Sequence, residues 1–430
     1  MTTPRLFAIM GIFFCTMIAW FILAGSISFR TDEKRLSFGP RMASHWGGVH
    51  KQETPQLFYH VKEWAVTKET STNAAGTSVT VEKSSEVDVK KNIECGKTQI
   101  NADFEVDYRQ KGLLWYSVYK VRFSGLYTFT NPSAKEEDVT IDFTFPAAQA
   151  IYDDFVFQWD GQELLKTETI RESSDDPYRQ DSKPGSLRAN IKMKPGQIAV
   201  LKVGYTSQGT GTWEYSVGEG TKRVTDFQLT AQTHFKEFDI PEFSISPGTK
   251  TETADGWSLV WQYKDIISDV RIGLGMPKKL DPGPVAERIS FFAPVSLLFF
   301  FCILIIIGAI RDVRMHPMNY FFLAAAFFSF HLLFAYLVDH LALELSFAIS
   351  SIVSVTLVAA YMRLVTSWPY TVRVVMPTQV IYLILFSYSF FFEGYTGLTI
   401  TIGAIVTLFI LMQMTGKTDW NAIFKKDIKS

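Results

Sequence analysis

Cysteine is scarce in this chain, whose only thiols are Cys15, Cys95 and Cys302. Two of them fall in long apolar runs, so Cys95 stands alone in the polar segment that extends from residue 29 to about residue 287. One cysteine excludes a disulfide within that segment. A domain built there must be held together by its own hydrophobic core, and the segment is long enough to form one.

The chain also lacks an excess of charge and the common catalytic motifs. Its formal net charge is −1, which does not favour a nucleic-acid partner. It has no Gly-x-Ser-x-Gly, no phosphate-binding loop, no dinucleotide fingerprint and no His-Glu-x-x-His. Residues that are distant in sequence could still meet as a catalytic group, but no pattern points to one. We therefore predict that the protein is not an enzyme and binds no cofactor.

Candidate metal ligands are few. His45, His50 and His60 lie close in sequence, but no cysteine or acidic residue stands at a ligand spacing from them. We interpret them as part of a polar N-terminal linker. The acidic pairs Asp153-Asp154 and Asp175-Asp176 are interpreted as turns, since no calcium-loop pattern follows either pair. No metal site is predicted.

Charge is missing from five apolar runs in the C-terminal part, apart from the ends of the predicted helices. A sixth run is at the N-terminus, and each run is about as long as a helix that crosses a bilayer, roughly 20 residues. The runs are Leu6–Ser28, Ile289–Ile310, Asn319–Val338, Leu345–Val365, Val374–Phe392 and Gly397–Met414. The chain is thus predicted to be a membrane protein with six transmembrane helices.

Lysine and arginine predict the orientation of these helices. Outside the polar segment, basic residues cluster at the start, in alternate loops and in the tail, and short basic loops stay in the cytoplasm. Nine of the ten follow this pattern, namely Arg5, Arg311, Arg314, Arg363, Arg373, Lys417, Lys425, Lys426 and Lys429; the tenth, Arg288, lies beside Glu287 at the start of the second helix. Both termini are therefore predicted to be cytoplasmic and residues 29–287 periplasmic. Arg30, Lys34 and Arg35 follow the first helix and argue the other way, but the downstream helices outweigh them.

The N-terminal run is compatible with a cleaved signal peptide or with a retained anchor. It is longer than the usual apolar core of a signal peptide, which favours the anchor. Leu23-Ala24-Gly25-Ser26 resembles a lipoprotein cleavage box, but Ser26 occupies the position of the lipidated cysteine. Lipidation at that position is excluded.

The polar segment alternates aromatic or β-branched residues with charged ones, as in Phe104–Tyr108 and Val139–Phe145. This pattern predicts antiparallel strands with one solvated face. Some ten short strands favour a β-sandwich, or two. The predicted fold is mixed: a β-rich periplasmic domain at 29–287, compatible with a sub-boundary near residue 100, between an anchor at 1–28 and a five-helix region at 288–414. Residues 415–430 form a cytoplasmic tail.

One loop and the helix after it resemble a known family. Arg314-Met315-His316-Pro317-Met318-Asn319-Tyr320 joins the second and third helices, and the third ends at Asp339-His340. Pro317 is suited to open a helix. With the layout of one helix, a large β domain and a helix cluster, the chain resembles the bacterial inner membrane protein CreD family, best between Trp213 and Val365. Arg314, His316, Pro317, Asp339 and His340 are the family-like positions, and their role is undefined.

The resemblance implies an inner membrane protein linked to envelope maintenance and stress responses, without a catalytic reaction. We predict that its β domain contacts a periplasmic protein or cell-wall component while the helices lie in the lipid bilayer. The alternative is a transporter or channel-like protein with a periplasmic cap. Away from the helix ends, His331 is the one histidine, basic or acidic side chain inside a predicted span, and we expect it to hydrogen-bond to Ser350, Ser354 or Thr356 on the next helix.

Overall fold

A computed structural model of the chain describes residues 3–72, 78–164, 167–170, 184–217, 222–268, 271–313, 315–392 and 394–416. The chain divides into two compact units. The helical unit comprises Met1–Ser37, Gln110–Trp115 and Leu280–Ser430. The β unit comprises Phe38–Arg109 and Tyr116–Lys279.

Within the described residues, six helices are long and apolar enough to cross a membrane. They are α1 (Thr3–Trp46), α2 (Pro282–Ile310), α3 (Pro317–Leu337), α4 (Leu343–Val365), α5 (Trp368–Phe391) and α6 (Thr396–Thr415). Each contains most of one predicted apolar run, so the prediction of six helices is confirmed. α1 is 44 residues long and extends well beyond its apolar run.

Proline marks the start of three of these helices. α2 and α3 have proline in the first turn, at Pro282 and Pro317, and so does α5, at Pro369. The first turn of a helix leaves its N–H groups unpaired, so a residue without an N–H costs nothing there. The predicted role of Pro317 as a helix start is confirmed.

The β unit contains sixteen strands among the described residues. In chain order they are β1 (His50–Glu53), β2 (Gln56–Thr72), β3 (Ser78–Ile93), β4 (Cys95–Lys111), β5 (Leu114–Thr130), β6 (Glu137–Thr144), β7 (Tyr152–Trp159), β8 (Gln162–Glu163), β9 (Thr167–Ile170), β10 (Ser186–Met193), β11 (Ile198–Thr210), β12 (Thr212–Ser216), β13 (Lys222–Thr233), β14 (Thr249–Glu252), β15 (Trp257–Ser268) and β16 (Ile272–Gly275).

These strands form three sheets, with strand orders β1-β12-β16, β3-β2-β6-β10-β9 and β14-β15-β13-β4-β5-β11-β7-β8. The sheets are mainly antiparallel, as predicted, but β1 pairs with β12 and β4 with β13 in parallel. The expectation of short strands is wrong for β2, β4 and β5, each 17 residues long. Their alternation continues through charged residues on the solvated face, where a strand needs no apolar side chain.

Aromatic side chains dominate the core of the β unit. Trp213, Trp261 and Tyr119 are among its largest fully buried residues. The five-stranded sheet contributes Ile141 and the eight-stranded sheet contributes Phe123 to one continuous hydrophobic cluster. The unit is therefore built on a single core without any disulfide among its described residues.

Candidate functional site

The family-like positions fall at the two ends of α3. His316 precedes the helix, and its Nδ1 accepts a hydrogen bond of 3.2 Å from the backbone N–H of Met318. Asp339 and His340 follow the other end, where His340 N donates to the carbonyl of Leu337. A helix of 21 residues is about 30 Å long, so the structure does not bring the two groups together. Arg314 lies outside the described residues.

Asp339 is the centre of a charged cluster in the helical unit. Arg30 Nη2 lies 2.5 Å from its Oδ2 and Lys34 Nζ lies 3.1 Å from its Oδ1. The three side chains are only 20–30% exposed, so solvent screens the attraction less than it would on an open surface. We refer to Arg30, Lys34 and Asp339 as the Asp339 cluster. It attaches α1 to the end of α3.

The arginine of this cluster makes two further contacts with α3. Its guanidinium carbon lies 5.3 Å from the centre of the Tyr336 ring, a cation–π arrangement. Its Nη2 also donates to the carbonyl of Ala335 at 3.5 Å. A planar guanidinium with several donors can make such contacts at once, whereas an ammonium group cannot stack in the same way. Arg30 is thus held at a defined place against the helix end.

The tip of the β4–β5 hairpin packs in the helical unit, at the start of α2. Gly283 N donates to the carbonyl of Leu113 at 3.2 Å, and Asp281 Oδ1 accepts a bond of 2.7 Å from the backbone N–H of Trp115. One of the unpaired N–H groups of the first helical turn is thereby satisfied. Leu113 is fully buried in the hydrophobic cluster of the helices.

Two glycines allow this close approach. A Cβ on Gly283 would lie 2.5 Å from Thr31 Oγ1 of α1, and a Cβ on Gly112 would lie 2.6 Å from Lys34 Nζ. Gly112 also has φ +59°, a conformation that favours glycine. The hairpin tip, α1 and the first turn of α2 therefore meet beside the Asp339 cluster.

Sequence reasoning missed the Asp339 cluster, although one signal was present. Arg30 and Lys34 are four residues apart, and this spacing places them on one face of a helix. The sequence alone presented them as evidence against the predicted orientation. The partner is about 300 residues further along the chain, and no local pattern connects it to α1.

A second group of polar side chains is buried among α3, α4 and α5. Gln379 Nε2 donates to Ser354 Oγ at 3.1 Å, and Ser354 Oγ donates to the carbonyl of Ala326 at 2.7 Å. Gln379 is fully buried, and its Oε1 has no hydrogen-bond partner among the described residues. We call Ala326, Ser354 and Gln379 the Gln379 cluster. Polar groups at such depth are costly and often functional.

His331 does not make the predicted bond to the next helix. Its Nδ1 lies 3.1 Å from the carbonyl of Phe327 on its own helix, and Ser354 bonds to Ala326 instead. The His331 ring meets Trp20 of α1 edge to face at 5.7 Å. Its Nε2 is buried without a partner in the part of the chain that the structure describes. The expectation was wrong, because the carbonyl of Phe327, one turn earlier on the same helix, takes the place of the predicted partner.

α5 departs from regular α-helix on both sides of Gln379. Thr371–Val375 and Val380–Leu385 are π-helical. Ser296 of α2 donates to the carbonyl of Tyr382, and the hydroxyl groups of Tyr382 and Thr407 lie 2.7 Å apart. Wider turns of this kind are uncommon and recur at functional sites. They distinguish α5 from the other spans.

The β unit contains the histidines that were considered as metal ligands, and the interpretation as a polar linker is wrong. His50 lies in β1, is fully buried and is flanked by the Tyr119 and Tyr152 rings. Burial lowers the pKa of its imidazole to about 4, although the backbone of Gln208 acts in the opposite direction. His60 is half exposed and lies 3.2 Å from Asp88. The side chain of His45 lies outside the described residues.

The first acidic pair is not a turn either. Asp153 and Asp154 lie in β7, where Asp154 has φ +52° and the register with β11 shifts. A short polar residue tolerates this backbone and allows a bulge within the strand. The second pair, Asp175-Asp176, lies outside the described residues.

The fold and these clusters define a class of protein: a polytopic α-helical membrane protein with a large β-rich unit inserted after its first helix. The family model described as "Inner membrane protein CreD" matches residues 2–421. The chain belongs to this family, and the resemblance noted in the sequence is confirmed. It is an inner membrane protein.

Comparisons with solved structures and with curated proteins do not add to the family assignment. A crystal structure of a Legionella pneumophila protein, described as a candidate nutrient binding protein, is similar at a TM-score of 0.33 and 10% identity, over 59% of this chain and 76% of that one. No curated protein matches the chain.

Proposed function

We propose that the protein supports envelope maintenance or stress responses without catalysing a reaction. Its β unit contacts a periplasmic protein or a cell-wall component, and its helices hold that unit at the membrane. Membership of the CreD family supports the location in the inner membrane. The contact role is supported by an exposed surface on the β unit.

That surface is the outer part of the β2–β3 hairpin. Among the described residues, β2 pairs with β6 over Gln56–Tyr59 and, beyond that range, with β3 alone. Trp64 and Val66 are 74% and 57% exposed there. A two-stranded hairpin is only marginally stable in water, and tryptophan is enriched where proteins meet partners. We call residues 60–72 and 78–90 the β2–β3 arm. It is the observation that carries the proposal.

Crosslinking in intact cells tests the contact. A photo-reactive residue in place of Trp64 should form a specific adduct with an envelope component on illumination. The matched control replaces Lys202, which is exposed on β11, and should form none. Equal labelling from both positions, or no adduct from either, would contradict a partner on the arm.

The proposed orientation keeps both termini in the cytoplasm and residues 29–287 in the periplasm. The basic loops support it. Arg30, Lys34 and Arg35 argue against it, and two of them, Arg30 and Lys34, contact the carboxylate of Asp339. We further propose that α1 is a retained anchor, because Trp20 and Ile27 belong to the core of the helical unit.

The β unit is proposed to be a β-sandwich. Its two larger sheets contribute side chains to one hydrophobic cluster, as two facing sheets do. The limits of the domains remain predictions. They are an anchor at 1–28, a β-rich domain at 29–287, five helices at 288–414 and a cytoplasmic tail at 415–430. The sub-boundary near residue 100 also stays a prediction, although β4 runs through that position.

Transport is the alternative function, and the Gln379 cluster beside two π-helical turns favours it. A substitution at His331 distinguishes the envelope role from transport. The side chain in His331→Asn can still form hydrogen bonds but cannot titrate. The envelope role therefore predicts that this variant is present at normal levels and does not show the phenotype caused by deletion of the protein. A variant present at normal levels that behaves as a deletion would place transport first.

A further inference from the structure

A cavity of about 260 Å³ opens in the β unit where several strands begin or end. Its wall includes the corner between β3 and β4, at Ile93 and Cys95, and the start of β2 at Leu57. The volume lies just below the range of about 300–1,000 Å³ typical of ligand pockets. It therefore suits a ligand of one ring rather than an extended molecule.

The floor of the cavity is apolar. Leu57, Phe129 and Val224 line it, and each is at most 3% exposed. Such a floor favours contact with a ring face or a methyl group over contact with a charged group.

The sides of the cavity carry hydroxyl and amide groups. Gln56 and Asn92 are exposed and provide amides that both donate and accept hydrogen bonds. The hydroxyls of Thr54 and Thr98 already pair with Tyr215 and Cys95. Glu94 is the one charged side chain among the described residues that line it. A carboxylate or phosphate ligand would find no cation on this wall, and zwitterionic amino acids are disfavoured for the same reason.

We propose that this cavity binds a neutral, hexose-sized sugar ring that carries hydroxyl and amide groups. The amides of Gln56 and Asn92 hydrogen-bond to the ring substituents, and the floor packs against the ring face and the acyl methyl group. This inference rests on the proposed function, since it specifies the kind of cell-wall component that the β unit contacts.

Cys95 provides a reporter at the site. This partly exposed residue lines the cavity, and its Sγ lies 3.3 Å from Thr98 Oγ1. The other two thiols lie in the helices α1 and α2. In a full-length chain with Cys15→Ser and Cys302→Ser, alkylation by iodoacetamide reports on Cys95 alone. A ligand in the cavity covers the thiol and slows that reaction.

The test measures the alkylation rate in detergent micelles with and without N-acetylglucosamine. At saturation the rate should fall by at least about fivefold, with a dissociation constant on the order of millimolar. Asn92→Ala combined with Gln56→Ala should raise the half-protecting concentration by about tenfold, because two hydrogen bonds are lost. Lys202→Ala, on the exposed face of β11, is the matched control and should leave it unchanged.

An unchanged alkylation rate at the highest sugar concentration, in protein whose circular dichroism shows a folded β unit, overturns the proposal. Equal or better protection by glucosamine 6-phosphate overturns the assignment to a neutral ligand. The proposed function has a separate outcome: an adduct from Trp64 in cells without sugar protection of Cys95 leaves the envelope role in place and removes only the sugar.

Discussion

At the scale of single residues, the structure places opposite charges where the sequence showed only isolated ones. Arg30 and Lys34 share one carboxylate, that of Asp339. Each contact is local, but together they connect helices that are distant in sequence. The family-like pair Asp339-His340 therefore has a structural partner for its acidic member, which sequence reasoning could not assign.

Asp339→Asn should destabilise the helical unit. It leaves two partly buried cations without their counter-charge, and we expect a loss of about 1–2 kcal/mol, seen as a lower Tm in detergent. The matched control is Glu344→Gln, which removes an exposed carboxylate in the first turn of α4 and should change little. Equal Tm values for both variants would show that the Asp339 cluster contributes no stability.

His50 should make the stability of the β unit depend on pH. Its folded pKa of about 4 lies below its ordinary value of 6.5, so the unfolded chain takes up a proton first as pH falls. The contribution of neutral His50 to the stability of the β unit is therefore fully present above pH 6.5. It is lost as the pH falls from 6.5 to 4, and the loss is about 3 kcal/mol at most.

Denaturant titrations of wild type and His50→Gln at several pH values measure this loss. The variant should lose less stability than wild type over that interval, because its side chain does not titrate. His60→Gln, at a half-exposed histidine, should follow wild type. Parallel curves for wild type and His50→Gln would contradict the role of the buried imidazole.

At the scale of elements, the sequence predicted the type and approximate number of helices and strands better than it predicted where they pack. The six helices were predicted from apolar runs longer than a soluble core requires. Ten strands were predicted from the alternation of apolar and charged residues. β13 was missed because its buried residues Val224 and Phe227 are three apart, with Asp226 at φ +45° between them. A residue in this backbone conformation interrupts the side-chain alternation, and so breaks the period of two on which strand prediction depends.

The tip of the β4–β5 hairpin shows that a strand pattern does not predict which residues an element packs against. Leu113 belongs to a strand hairpin in sequence, yet it is buried among helices. Leu113→Ala should cost the helical unit about 2–4 kcal/mol, measured by thermal unfolding in detergent. Lys111→Ala, two residues earlier and exposed, should stay within about 0.5 kcal/mol of wild type. Similar losses in both variants would show that the tip does not depend on this contact.

The candidate sites were the least predictable part. The Asp339 and Gln379 clusters depend on which helices become neighbours, and apolar sequences of similar composition do not encode that choice locally. The cavity near Cys95 likewise arises where distant strands begin or end. By contrast, Pro317 could be assigned from sequence, because its effect on a helix start is local.

At the scale of the whole molecule, the chain combines a helical unit with a β unit that has its own core. The central proposal is that the β unit lies outside the cytoplasm while both termini lie within it. The crosslinking experiment in cells depends on that arrangement, because an envelope partner can reach the unit only from the periplasm.

Topology reporters test this arrangement most directly. A reporter that is active only outside the cytoplasm should give signal when fused after Asp339-His340 or after Glu393-Gly394. Fusions after Arg314 or Arg373 should be silent, since basic loops stay in the cytoplasm. Signal from the Arg373 fusion would contradict the six-helix orientation and, with it, the periplasmic position of the β unit.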